Sequence, residues 1–173
     1  MEGTSNRDAT ATGNVELQKG DVRISADRLH YQNATEEVEA TGNVRIERLG
    51  DVIRGPSLLY RLPDATGTFE KPAYSLAPRS RKSGGGAESS AVAGRGAAEA
   101  LEFQGEDRYR LKDATFTTCR PGVNDWYASV GELQLDFTRD VGTASSAVIY
   151  LKDMPIAYVP WMTFSLNNER KSG

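Results

Sequence analysis

The chain carries 173 residues and a net charge of −3, with 21 Lys and Arg set among 24 Asp and Glu; it has no basic stripe for nucleic acid and no run near the ~20 apolar residues of a membrane helix. The apolar fraction of 38% is low for a compact core but enough for a thin layered sheet, and the length suits one extended domain. One cysteine, Cys119, and one histidine, His30, can build neither an internal disulfide nor a zinc site of the usual Cys/His type.

Residues 1–10 are polar and expected to be flexible, and the opening Met1-Glu-Gly-Thr-Ser is not a signal peptide. From Ala11 a repeat begins. Ala11-Thr-Gly-Asn-Val-Glu-Leu17 returns as Ala40-Thr-Gly-Asn-Val-Arg-Ile46, and each copy is followed by Gly-Asp-Val, at 20–22 and 50–52. A unit this short cannot bury its own apolar face and must stack on neighbours.

Within the second copy, Val38, Ala40, Gly42, Val44 and Ile46 alternate with Glu39, Thr41, Asn43, Arg45 and Glu47. This is the pattern of a strand with one buried and one wet face. The alternation runs unbroken through Gly42-Asn43, so one long strand is expected there rather than a hairpin. Gly42, and Gly13 in the first copy, are read as sparing room for a close approach to the backbone. Parity does flip around Lys19-Gly20-Asp21, a turn, and again at Asp27-Arg28.

Asn33-Ala34-Thr35 reads as a turn, and Leu58, Tyr60 and Leu62 as a strand ended by Pro63-Asp64. Gly67–Glu70 reads as a degenerate third copy, and Pro56 and Pro72 are placed at strand starts or edges. Residues 77–97 are rich in Gly, Ser and Ala without apolar period, and are expected to be a disordered loop. Strands resume at Leu101/Phe103, Tyr109/Leu111, Ala114/Phe116 and Trp126–Val130. A turn is expected at Gly131-Glu132, then a strand through Leu133, Leu135 and Phe137. A further turn at Asp140–Gly142 leads to Ala147–Leu151. Met154–Phe164 is apolar and aromatic with two prolines, which fits an edge or cap. Helical stripes are missing, and roughly twelve or more short strands indicate an all-β fold. Trp126 and Trp161 are expected to pack, His30 to be an exposed strand residue, and Glu36, Glu37 and Glu39 to form a solvated face. No catalytic or metal-ligating motif and no cofactor fingerprint is present.

These residues resemble a family. The repeated Ala-Thr-Gly-Asn-Val is similar to the OstA-like repeat of lipopolysaccharide transport proteins, which leaves a periplasmic bridge and an outer-membrane component as rivals. Thr117-Thr-Cys-Arg-Pro-Gly122 followed by Trp126 resembles the Thr-Cys-Pro…Trp signature of the outer-membrane lipopolysaccharide-assembly family. Met154-Pro-Ile-Ala-Tyr-Val-Pro-Trp161 resembles its Val-Pro-Val-Phe-Tyr-Pro-Tyr stretch, and Arg170-Lys-Ser-Gly173 matches the Arg-Lys-Ser-Gly where its barrel begins. Arg120 departs from the family's direct Cys-Pro.

The resemblance covers the N-terminal periplasmic domain only. It implies an all-β, V-shaped antiparallel β-jelly-roll over 11–173, with an open apolar groove for lipid A acyl chains and a junction at 165–173 to a C-terminal β-barrel. Periodicity alone favours plain core for Val15, Leu17, Val22, Ile24, Leu29, Tyr31, Val38, Val44, Ile46, Leu58, Tyr60, Phe116 and Leu135; the resemblance makes the same face the groove lining. It makes Cys119, otherwise an inert thiol, a candidate for an inter-domain disulfide, and Pro155, Tyr158, Pro160, Arg170 and Lys171 the barrel junction. The implied partners are lipopolysaccharide, a periplasmic bridge protein of the same fold joined by edge-strand addition, the barrel, and its plug lipoprotein. The alternatives are a soluble bridge subunit and a structural or carbohydrate-binding β-domain.

Overall fold

The computed structural model describes residues 8–77 and 93–166. The strands are β1 (Ala9–Lys19), β2 (Val22–Gln32), β3 (Glu37–Arg48), β4 (Asp51–Arg61), β5 (Thr66–Glu70) and β6 (Ala73–Leu76), then β7 (Gly94–Ala97), β8 (Ala100–Gln104), β9 (Arg108–Phe116), β10 (Trp126–Asp136), β11 (Val141–Leu151) and β12 (Met154–Ser165). They form one antiparallel sheet with a main path β1-β2-β3-β4-β5-β8-β9-β10-β11-β12; β6 pairs with β4 and β7. The path does not close: the described chain is all-β in one open antiparallel sheet, consistent with the expected folded-over jelly-roll.

The sheet is creased along a line that crosses the long strands and passes between the short ones. Register skips or unpaired residues fall at Gly13-Asn14, Asp27, Gly42-Asn43, Pro56, Asp113, Gly131 and Ser146. On the same line Lys71-Pro72 separates β5 from β6, and Ala98-Glu99 separates β7 from β8. An extra residue in one strand bends the ladder and raises its twist. Several of these residues have positive φ, including both Gly-Asn pairs, Asp113 and Ser146. Left-handed backbone is strained for most L-residues and least so for Gly, Asn and Asp, so the repeated Gly-Asn is what lets β1 and β3 bend at one level.

The crease makes two arms. β4 pairs β5 through Ser57–Arg61 in one arm and β6 through Val52–Arg54 in the other. The second arm continues from β7 to the residue that follows β9 by an isolated bridge between Arg95 and Thr117. The inner faces of both arms share one apolar core, from Val22 to Ala147, with Ile24, Val38, Leu58, Phe69 and Leu101 fully covered. Tyr60, Phe103, Tyr109 and Phe137 run through it edge to face, with centroids 5.2 to 5.6 Å apart, the arrangement ring quadrupoles favour.

Several expectations change. Pro56 lies inside β4 rather than at its start; the crease leaves it without a ladder partner, so its missing N–H is harmless. Gly131-Glu132 is no turn: β10 passes straight through it, and the parity flip there is the crease. The turn before β11 ends at Asp140, and β11 begins at Val141. Of the loop expected at 77–97, Gly94–Ala97 is strand β7, packed under neighbours that leave no room for larger side chains: a Cβ on Gly96 would meet the Tyr74 hydroxyl at 2.7 Å. Residues 78–92, the first seven residues and 167–173, including Arg170 and Lys171, lie outside the described residues.

Candidate functional site

The interior between the arms is the candidate site. Of the expected lining, Val22, Ile24, Leu29, Val38, Val44, Ile46, Leu58, Tyr60 and Leu135 are buried. Val15, Leu17, Tyr31 and Phe116 are only half-buried against the same core. The structure therefore brings all thirteen to one face. The alternation also marked Leu101, Phe103, Tyr109, Leu111 and Leu133, which complete the lining.

Coverage is not uniform along the stack. In the middle strands the side chains fill the space. At the two terminal strands the same face is only partly covered: Val15 and Leu17 on β1, and Val159, Met162 and Phe164 on β12. Phe164 lies directly over Gly142 of β11, where any side chain would displace the ring. Among the described residues β1 pairs only with β2, and β12 only with β11, so each end presents an unpaired edge there together with a half-open apolar row.

The outer face near β12 is also apolar. Leu151, Met154, Ile156, Tyr158 and Trp161 are all exposed, beside a parallel stack of Tyr127 on Tyr150 at 4.7 Å. Trp161 is 64% exposed, which corrects its expected packing role; β12 switches its inward parity across Pro160, which places Trp161 outside while Met162 turns in. Pro155 sits opposite Tyr150 in the ladder, and Pro160 is unpaired. The two glycines read as making room also differ. Asp27 crowds Gly42, with Oδ2 2.7 Å from where a Cβ would stand, whereas nothing lies within 4 Å of Gly13.

Cys119 is a free, half-buried thiol in the loop between β9 and β10. The Thr117 hydroxyl accepts from the Cys119 amide at 3.1 Å and donates to the Trp126 carbonyl at 2.6 Å. Hydrogen bonding from Thr117, and then from the Trp126 backbone, holds the thiol below its ordinary pKa. Arg95 pins this loop: its Nε donates to the Cys119 carbonyl at 2.9 Å, and Nη2 to the carbonyls of Arg120 (2.9 Å) and Val123 (2.7 Å) and to Asn124 Oδ1 (2.9 Å). Sequence reasoning missed Arg95, because nothing local marks a guanidinium whose acceptors lie more than twenty residues away. Among the described residues no group of three His, Cys, Asp or Glu could hold a metal.

No family model matches the chain. Curated relatives do. It is 38% identical over 173 residues to the LPS-assembly protein LptD of Azoarcus sp. (strain BH72), covering all of this chain and 21% of that protein. It is 42% identical over 163 residues to that of Nitrosospira multiformis, covering 94% and 16%, and 39% identical over 173 residues to that of Nitrosomonas europaea, covering 100% and 22%. The chain spans about a fifth of the length of the curated relatives it matches. With the folded-over β-sheet, these identities mean that the chain belongs to the LptD family of LPS-assembly proteins, of which it corresponds to the N-terminal domain.

Proposed function

We propose that this domain conducts lipopolysaccharide on the periplasmic side of the outer membrane. It takes the lipid from a periplasmic bridge protein of the same fold, shields the acyl chains between its arms, and passes them to a C-terminal β-barrel with its plug lipoprotein LptE. The observation that carries this reading is the apolar row running from β1 to β12, filled in the middle and half-open at both terminal strands. An acyl methylene costs ~0.8 kcal/mol to expose, so a chain of about ten carries roughly 8 kcal/mol. A carrier must therefore keep an apolar lining along its whole path. Free edges at β1 and β12 are suited to extending that lining by strand addition.

On this reading the exposed Tyr158, with Pro155, Pro160, Arg170 and Lys171, belongs to the junction with the barrel. Cys119 pairs with a cysteine outside this chain, in an oxidising compartment. No proton relay or nucleophile is required.

The test is the dependence of binding on acyl chains. Purified domain is titrated with lipopolysaccharide, with a form in which one acyl chain is two methylenes shorter, and with the deacylated saccharide. One chain shortened by two methylenes should weaken binding about fifteen-fold, from ~1.6 kcal/mol, and the saccharide should not bind. A saccharide that binds as tightly as the intact lipid would replace the lipid-carrier reading with a carbohydrate-binding one.

A further inference from the structure

The packed middle raises a question of access. Ile24, Val38 and Leu58 have no exposed surface, so acyl chains fit beside them only if the arms part. Besides the shared core, polar contacts opposite the crease join the free rims of the two arms among the described residues. Lys19, at the end of β1 on one rim, pairs with Glu36 in the β2–β3 turn on the other. Arg48, at the end of β3, donates to the Glu106 carbonyl in the β8–β9 turn. Its guanidinium also lies 3.4 Å from Asp21 and 4.0 Å from the Glu106 carboxylate. The Tyr109 hydroxyl of one arm donates to Asp51 Oδ2 of the other at 3.1 Å, and Asp51 is 2% exposed.

Burial separates the Arg48 and Asp51 contacts from the Lys19–Glu36 pair, whose side chains are open to water. The Arg48 side chain is only 11% exposed, while Asp21 and Glu106 are open to water. A shielded guanidinium bonded to a carbonyl on the opposite rim is a directional tie, stronger than a solvated ion pair. The ring of Tyr60 sits beneath it in the lining, close enough to feel the charges of Arg48, Asp21 and Glu106. The tie thus lies at the boundary between apolar interior and water, where a lipid laid in from the side would cross.

We propose that Arg48, with the Tyr109–Asp51 contact behind it, is a latch across the mouth of the folded sheet, and that lipid enters sideways by parting this latch while the sheet flexes at the Gly-Asn crease. The inference rests on the lipid-conducting reading above. Polar ties suit this task because water can replace each bond as it breaks, whereas an apolar seal would resist opening over its whole area.

The test uses the whole chain with Cys119→Ser, Lys19→Cys and Glu36→Cys, joined across the mouth by a reductant-cleavable bis-maleimide. Uptake of lipopolysaccharide carrying a fluorescent acyl chain is followed by stopped flow. The linked protein should load at least about ten-fold more slowly than the same sample after cleavage. In the unlinked native background, Arg48→Ala and the isosteric Tyr109→Phe should each load faster than the parent. Equal rates before and after cleavage would mean that lipid enters from the strand ends; the latch would then be overturned and the acyl-shielding reading would stand. Slower or unchanged loading in both latch variants would also overturn it. Failure of every form, parent included, to take up lipid would remove both readings together.

Discussion

Gly13 and Gly42 occupy the same place in two copies of one motif, and the structure separates what each contributes. Both have positive φ, +83° and +78°. An alanine at either position pays the left-handed penalty of about 1–2 kcal/mol. Only Gly42 is also crowded, with Asp27 Oδ2 at 2.7 Å and Asp27 Cβ at 3.0 Å from the added methyl. Forcing a methyl into such a gap costs a further ~1–3 kcal/mol. Gly42→Ala is therefore expected to destabilise by about 2–5 kcal/mol and Gly13→Ala by about 1–2, read from urea midpoints at constant slope. Asp27→Ala removes the closest atom, at the cost of the 2.9 Å bond from Asn43 Nδ2, so the Asp27→Ala/Gly42→Ala double mutant should be less destabilised than the sum by about 0.5–2 kcal/mol. Equal costs for the two glycines, or strict additivity with Asp27, would refute the claim that the crease is packed at β2–β3 and loose at β1.

Glu132 accepts from Arg110 Nη2 at 2.8 Å, and this bond first, with one from Gln134, lowers its carboxyl pKa. A lowered carboxyl stabilises the fold above its unfolded-state pKa, and the gain disappears as pH falls through the folded value. Glu132→Gln should thus cost under about 1 kcal/mol at neutral pH, since the pair is partly solvated, and nothing at the acid end; a cost that grows on acidification would contradict this. The Cys119 thiol, held low by Thr117, should react with a thiol-selective reagent at a lower pH midpoint than free cysteine, and Thr117→Val should raise that midpoint. An unchanged midpoint would remove Thr117 from the site. Trp161→Ser should leave stability within about 0.5 kcal/mol and abolish most of the iodide-quenchable fluorescence, Trp161 being the exposed one of the two tryptophans; a loss of several kcal/mol would place it in the core after all.

How much of this was legible in the sequence depended on range. Alternation through Val38–Ile46 and Leu58/Tyr60 identifies strands and their inward faces because side-chain direction is a local property of extended backbone. The same rule misled at Gly131-Glu132. A parity flip has two physical causes, a turn or a bulge, and only the pairing of β10 with β9 and β11 distinguishes them. Pro56 misled for the same reason: a proline marks a missing ladder bond, which an edge and a crease both supply. Gly94–Ala97 looked like loop because its composition is dictated by neighbours distant in sequence; the Phe116 ring lies over Gly94 and Thr115 crowds Gly96. Trp161 was misplaced because the inward parity of β12 changes across Pro160. The Arg48 and Tyr109 ties join residues 58 apart, to Glu106 and Asp51, and no periodicity reports such a pair.

Site-specific photo-cross-linking along the row gives the most direct measurement of where lipid travels. A photoreactive residue is placed in turn at Leu17 on β1, at Ile24, Val44 and Tyr60 in the middle, and at Phe164 on β12, with Arg45 and Glu47 as outward controls. If acyl chains run between the arms, lipopolysaccharide is captured from all five inward positions and from neither control. Capture only from Arg45 or Glu47, with none inside, would mean that the interior is a sealed core and that lipid never enters it.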